Sequence, residues 1–329
     1  MSQPVGLKIS IAMATYNGGK YLQEQLDSFV AQTRLPDELI ITDDCSTDQT
    51  EAIVREFANA APFTVEFHRN EKNLGYCGNF NAALAKTTGD LVFLSDQDDV
   101  WFPDKIEHMV GLAESNPEAL VLMNDAALTD GELNEVGLTK IGQIRSAGLG
   151  MKSFVMGCCC AIRRELLNLC VPIPSGVAGH DNWLVAFADG LEAKVVDDTP
   201  LQYYRRHESN ESQFIANRTT KVTRFDSLLS SLKSVRNSDA MLQASSSRDQ
   251  LELVVHGIAK AKRLAGDSRQ KGLDKFMAAT QTQLAVLERR VSVRQKALGG
   301  RILAALRLYF IGGYQEASGL KSMVRDIIR

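Results

Sequence analysis

Four times in the first hundred residues a short apolar run breaks into a polar loop and then into a helical pattern. This recurrence limits the folds open to the chain more than any other feature. Residues 7–14 run into Thr15-Tyr16-Asn17-Gly18-Gly19, and Glu38–Thr42 runs into Asp43-Asp44-Cys45-Ser46-Thr47-Asp48. Thr64–His68 leads into a loop from Asn70 to Gly78, and Asp90–Leu94 leads into Ser95-Asp96-Gln97-Asp98-Asp99-Val100-Trp101. Between them, Leu22, Gln25, Leu26 and Phe29 recur at helical spacing in a helix from about Lys20 to Gln32. A second helix, capped by Ser46 or Thr47, runs to about Asn59, and a third covers about Asn79 to Thr87. Strand, loop and helix repeated with short connections predict an α/β fold with a mostly parallel sheet and helices on both faces. In such sheets ligands collect beyond the carboxyl ends of the strands, where all four polar loops fall.

The last of these loops is the most acidic. Asp96, Asp98 and Asp99 set three carboxylates within four positions at the end of a buried strand. Their mutual repulsion is removed by a hard divalent cation, Mg²⁺ or Mn²⁺. A turn that merely caps the next helix needs a single Asp, so the metal reading is preferred.

Further along, a helix is expected from about Pro103 to Ser115 with Lys105 and Glu107 exposed, then a strand at Ala119–Met123. Residues 129–150 read as a long variable loop, and Gly157 to Ile162 as a small apolar stretch before a helix to Cys170. Gly179-His180-Asp181-Asn182-Trp183 opens a helix to about Asp189, and Lys194–Val196 and Leu201–Tyr204 read as two short strands before Arg205-Arg206-His207-Glu208. From about residue 216 long amphipathic helices take over, marked by Leu228, Leu229 and Leu232, by Leu251, Leu253 and Val254, and by Leu284, Val286 and Leu287. No proline follows Pro200.

Charge divides at the same place. Residues 1–215 hold 16 Lys/Arg against 31 Asp/Glu, and residues 216–329 hold 21 against 9, although the formal net charge of the whole is only -3. Two domains are expected: a catalytic body at 1–215 and a basic helical region at 216–329. The hydrophobic content of 44% is that of an ordinary globular chain. The N-terminus shows no basic-then-apolar export signal, and no apolar stretch approaches the ~18 residues of a membrane span, so a cytoplasmic setting is expected. Six cysteines, three of them consecutive (Cys158, Cys159 and Cys160), then read as reduced, small buried hydrophobes, since adjacent side chains cannot converge on one tetrahedral ion.

In order along the chain stand Ala14-Thr15-Tyr16-Asn17-Gly18, Asp43-Asp44-Cys45-Ser46-Thr47-Asp48, Asn73-Leu74-Gly75-Tyr76 with Asn79, Gly89-Asp90, Ser95–Trp101 and His180-Asp181-Asn182-Trp183. This ordered set resembles the family 2 glycosyltransferases of the GT-A (Rossmann-like) fold, and most closely their rhamnosyltransferase-like branch, over roughly residues 8–210. The resemblance implies an inverting, metal-dependent transfer of rhamnose or a hexose from a dTDP- or UDP-sugar. The acceptor implied is a glycan or a lipid-linked molecule, in O-antigen, capsule or exopolysaccharide assembly. Thr15, Tyr16 and Asn17, with Asp43 or Asp44 and with Asn73 and Gly75, would line the nucleotide-sugar pocket, Asp96 would approach the ribose, and Asp98 would bind the metal. His207 would complete the metal shell, Arg205 or Arg206 would hold the diphosphate, and Asp181 would be the general base. Helix capping remains the competing reading for Asp48 and Asp181.

Two rivals are weighed. A sugar-1-phosphate nucleotidylyltransferase needs a Gly-rich, cation-bearing first loop for its triphosphate, which Ala14-Thr15-Tyr16-Asn17 does not supply. An inactive glycan-binding scaffold has no reason to keep the acidic cluster. In the C-terminal region, Arg301–Ile311 mixes bulky apolar residues with arginine. It is compatible with a helix lying on an anionic membrane, peripheral on the inner face, or with packing against the body or a second subunit. Nucleic acid is not an expected partner.

Overall fold

The computed structural model describes residues 6–208, 214–227, 229–230, 240–314 and 319–328. Leu228, Leu232 and the first five residues, on which part of the sequence reading rests, lie outside them. The chain divides into two compact units, residues 1–227 and 228–329.

The first unit is built on a nine-stranded sheet in the order β3-β2-β1-β4-β8-β6-β9-β5, with β7 beside β6. Its first half is the expected pattern: β1 (Ile9–Thr15), α1 (Leu22–Val30), β2 (Glu38–Asp43), α2 (Thr50–Ala60), β3 (Thr64–Arg69), α3 (Gly75–Leu84) and β4 (Leu91–Ser95). These four strands are all parallel, with Ile11 opposite Leu39 on one side and Phe93 on the other. Strands β2 and β4 are buried along their whole lengths and β1 at every residue but Ala14, which is why they read as continuous apolar runs rather than alternating ones. One sheet face carries Ile9, Ile11, Met13, Leu39, Ile41, Leu91 and Phe93. Against it pack Leu22, Leu26 and Phe29 of α1 and Val54 and Phe57 of α2. Ile106, Met109 and Val110 of α4 (Lys105–Ser115) complete this core.

The second half departs from the expectation in four places. β5 (Val100–Trp101) is a two-residue strand that pairs antiparallel with β9. β6 (Val121–Thr129) is longer than expected, and the segment taken for a loop holds β7 (Glu135–Thr139) and α5 (Lys140–Ser146). Five glycines in residues 129–150 hid a short strand and a short helix from a periodicity argument. The small apolar stretch becomes a single 3₁₀ turn and β8 (Cys160–Arg163), which runs antiparallel between β4 and β6. The two short strands are one, β9 (Lys194–Arg205), paired with β6 through register shifts that accommodate Pro200. α6 (Arg164–Cys170) and α7 (His180–Gly190) fall where expected.

The first unit extends past the expected boundary at residue 215. The Gln143 amide donates to the carbonyls of Arg218 and Thr220 and accepts from Val222 N, and Ser146 Oγ donates to Val222 O, so this segment is laced to α5. The second unit is helical: α8 (Ala240–Leu264), α9 (Asp267–Arg294), α10 (Leu298–Phe310) and α11 (Leu320–Ile328). Val293, Ala305, Leu308, Tyr314 and Met323 form one of its cores. Buried Asp326 accepts from both Arg290 and Arg294.

Candidate active site

The loops after β1, β2, β3 and β4 meet at one edge of the sheet and are tied together by short polar side chains. Asn17 N donates to Ser46 Oγ, and Asn17 Oδ1 accepts from Thr47 N at 2.9 Å, stapling the first loop to the second. Asn17 reaches this position with a φ of 47°, a left-handed conformation that Asn tolerates better than most residues. Asp48 caps α2 by accepting from Thr50 N and Oγ1, and its other oxygen takes Gly19 N. The expected cap by Ser46 or Thr47 is therefore supplied by Asp48.

Asp43 and Asp44 are both buried and differ in task. Asp43 accepts from Thr15 Oγ1 at 3.0 Å, from Ser46 N and Oγ, and from Arg69 Nη1. Asp44 reaches across to the start of α3, accepting from Leu74 N at 2.7 Å, Gly75 N at 2.8 Å and Asn70 Nδ2 at 3.0 Å. Asn73 joins the same knot through Gly75 N and Asp44 O, and Gly75 holds a φ of 70° that a side chain would strain. Tyr16 projects from the end of β1 and is half exposed, while Thr15 is buried beneath it.

Gln97, a residue the sequence reading passed over, joins the acidic loop to the first one. Its amide accepts from Tyr16 N at 2.9 Å and donates to Tyr16 O at 3.1 Å. A Cβ at Gly18 would stand 2.3 Å from Gln97 Oε1, so the glycine makes room for this clasp. The signal lay within the quoted motif, between two aspartates that drew all the attention.

The three aspartates of the loop separate by environment. Asp99 is wholly buried and accepts from Gln202 Nε2 at 2.8 Å and Arg205 N at 3.3 Å; burial, then the charges of Asp98 and Asp96, push its carboxyl well above the usual range. Asp96 is half-buried, and burial, then the charges of Asp98 and Asp181, push it up to about 7. Asp98 Oδ2 lies 2.7 Å from His207 Nε2, bringing together two residues 109 positions apart. The His207 ring packs against Tyr21, with centroids 4.8 Å apart.

Arg205 and Arg206 part company. Arg205 is buried over the Tyr21 ring, with Nε donating to Asp98 O and Nη1 to Gly131 O, both at 2.8 Å, and Nη2 paired with Glu24. Its donors hold the backbone of the acidic loop, which turns it away from the expected diphosphate contact. Arg206 is half-buried, with its guanidinium over the Tyr204 ring.

Lys105 also differs from expectation. It is fully buried, donating to Cys158 O at 2.9 Å and to Gln202 Oε1, with its ammonium 4.1 Å from the Trp101 ring centroid. Burial lowers its pKa. It forms a polar floor beneath Asp99, assembled from residues about 50 and 100 positions away that no local pattern announces. Asp96, Asp99 and Cys158 offer ligand atoms within 4.8 Å of one another. The four cysteines 158, 159, 160 and 170 are buried and free, as small apolar residues would be.

Across from the acidic loop, Asp181 occupies the first turn of α7. Its Oδ1 accepts from Asn182 N at 2.7 Å, and its charge acts on Asp96 and Cys77. His180 before it is buried, stacked on Phe80 at 3.9 Å, with neither ring nitrogen hydrogen-bonded; burial lowers its pKa, so it stays neutral. The site thus assembles Asp96, Asp98, Asp181 and His207 above a floor of Asp99, Lys105 and Gln202. Asn73 and Gly75, with Asp43 and Asp44, form its far wall.

A family model described as glycosyl transferase family 2 matches residues 10–169. An uncharacterized glycosyltransferase of Nostoc sp. is 29% identical over 238 residues, 65% of this chain and 70% of that protein. The dTDP-rhamnosyl transferase RfbG of Shigella flexneri is 28% identical over 220 residues, 60% of this chain and 73% of the relative. Among solved structures, TarS of S. aureus in complex with UDP-GlcNAc aligns with a TM-score of 0.56 at 18% identity, covering 98% of this chain and 90% of that one. The mannosyltransferase PcManGT of Pyrobaculum calidifontis, in complex with GDP-Man and Mn²⁺, aligns with a TM-score of 0.50 at 16% identity, covering 99% and 87%. The shared fold is GT-A.

Proposed function

We propose, from the premise that this chain is a glycosyltransferase whose residues 10–169 are a family 2 domain, that it inverts the configuration of the sugar it transfers and depends on a divalent metal. The donor is a dTDP- or UDP-sugar carrying rhamnose or a hexose. The acceptor is a glycan or lipid-linked molecule of cell-surface polysaccharide assembly, met at the inner face of the cell membrane.

The observation that supports this most directly is the Asp98–His207 pair at 2.7 Å with Asp96 beside it. A carboxylate oxygen and an imidazole nitrogen, next to a further carboxylate that burial and then like charges push up to about 7, are a donor set suited to Mn²⁺ or Mg²⁺. Asp98 and His207 would hold the ion, which when bound neutralises charge growing on the leaving diphosphate. Thr15, Tyr16, Asn17, Asp43 and Asp44, with Asn73 and Gly75, receive the nucleoside end, and Asp96 approaches the ribose. Arg206 meets the diphosphate, while Arg205 fixes the backbone of Asp98.

Asp181 takes the proton from the acceptor hydroxyl as that oxygen attacks the anomeric carbon on the face opposite the departing diphosphate. One bond forms as the other breaks, which inverts the centre. Asp181 lies in the first turn of α7, where its Oδ1 accepts from Asn182 N. Hydrolysis of a panel of dTDP- and UDP-sugars, with Mn²⁺ or Mg²⁺ and after EDTA, tests the reading. One donor should be turned over in metal and spared in EDTA, and full activity in EDTA would remove the metal from the mechanism.

A further inference from the structure

In the helical unit, α10 presents a surface that its own unit leaves uncovered. Its inner side is a narrow strip, Ala305 and Leu308, buried with Val293, Tyr314 and Met323. The opposite side is not polar, as it is on an ordinary surface helix. Leu298, Ile302, Leu303, Leu306, Tyr309 and Phe310 are all exposed, Phe310 at 82% and Ile311 just beyond at 68%. Contiguous exposed apolar surface of this kind marks a place of contact.

Positive charge flanks it. Residues 289–329 hold nine Lys/Arg and two Asp/Glu. One of the two acids, Asp326, is buried and engaged by Arg290 and Arg294. Arg289, Lys296 and Arg307 meet no carboxylate among the described residues, and they line a groove of about 470 Å³ walled by Val293, Leu303 and Ile311.

We propose that this face docks on an anionic phospholipid bilayer, with Leu303, Leu306, Tyr309 and Phe310 entering the headgroup–acyl boundary and Arg289, Lys296 and Arg307 meeting lipid phosphates. Thirteen helical residues extend about 20 Å, short of the ~30 Å hydrocarbon core. No helix among the described residues is long and apolar enough to cross a membrane, so α10 lies in the interface plane. Charge selects the bilayer over a second copy of the chain: a self-paired face would set these cations against their own kind. Anionic lipid instead attracts each of them, multiplying partitioning about fivefold per side chain. The inference stands on this surface alone and does not rest on the reaction.

Co-sedimentation of the full-length protein with phosphatidylcholine vesicles, with and without phosphatidylglycerol, tests it. The protein should sediment with the anionic vesicles only, and less as salt rises. The exposed-site variants Leu306→Glu/Phe310→Glu and Lys296→Glu/Arg307→Glu should melt like the parent and bind about tenfold more weakly or worse. Equal binding to both vesicle types, or unchanged binding by either variant, overturns the proposal. So does self-association in sedimentation velocity that Leu306→Glu/Phe310→Glu abolishes while vesicles stay unbound.

Discussion

The proposed chemistry turns on single carboxylates whose neighbours give them different surroundings. Asp181 accepts from Asn182 N at a helix start, whereas Asp99 lies wholly buried under Gln202. Replacing Asp181 with Asn keeps the shape and removes the proposed proton acceptor. Turnover should fall by about 10²–10⁴-fold with donor affinity unchanged, measured by steady-state kinetics beside donor titration. A parallel loss of binding would make Asp181 a helix cap only. Asp98→Ala should bring transfer to background in a protein that still melts cooperatively, and EDTA should do the same to the parent, reversibly on adding Mn²⁺. Residual transfer by Asp98→Ala at the parent's rate would return the acidic loop to a structural turn. Asp96, Asp98 and Asp99 stood out in the sequence because three acids at a strand end conflict with burial, whereas Asp181 was singled out by its place in the motif order alone. Lys105 was not legible: a lysine in the first turn of an amphipathic helix looks solvated, and its acceptors Cys158 O and Gln202 lie far along the chain.

The elements themselves were legible wherever the apolar period was unbroken, as in β1, β2, β4, α1 and α2. They were lost where glycine, proline or a register shift interrupted it, in β7, β8 and β9. At the opposite edge of the sheet from the site, Glu38 latches three strands together. It accepts from Ser10 Oγ on β1 and from Thr88 N and Oγ1 just before β4. Burial raises its pKa, but the hydrogen bonds from Ser10 and Thr88 and the charge of Lys8 outweigh it and leave it lowered. A carboxyl lowered in the folded state contributes stability that is present above its unfolded pKa and lost as pH falls through the folded one. The melting temperature should therefore drop as pH is taken down through and below the carboxylate range, and Glu38→Gln should flatten that dependence. An identical pH profile in the variant would show that the latch carries no linked proton.

At the scale of the molecule, the acidic and basic parts of the sequence correspond to two compact units, though the boundary lies at residue 227 rather than 215 because residues 214–227 are laced to α5. Composition located the division only roughly, since hydrogen bonds from Gln143 leave no trace in charge or hydropathy. All the residues proposed to hold the donor belong to the first unit, so donor with Mn²⁺ should stabilise that unit by mass action. At a hundredfold excess over the dissociation constant the gain is about 2.7 kcal/mol, or roughly 5–10 °C in its melting transition. A transition unmoved by every dTDP- and UDP-sugar would put the donor outside this class.

The antiparallel strand β8, set between β4 and β6, divides the site in chain order. The loops proposed to receive the nucleoside end arise from residues 15–99, one uninterrupted stretch, whereas Arg206 and His207 follow β9. Asp181 arrives only after the chain has crossed back through β8 and descended α6. On the proposed assignment, nucleoside recognition is thereby carried by a single linear parcel, apart from the residues that meet the diphosphate and the metal. Apart from Asp181 itself, α6, α7 and the loop between them can then vary without rewriting that parcel. A chain built this way can acquire a new acceptor surface while its proposed nucleoside pocket stays as it is.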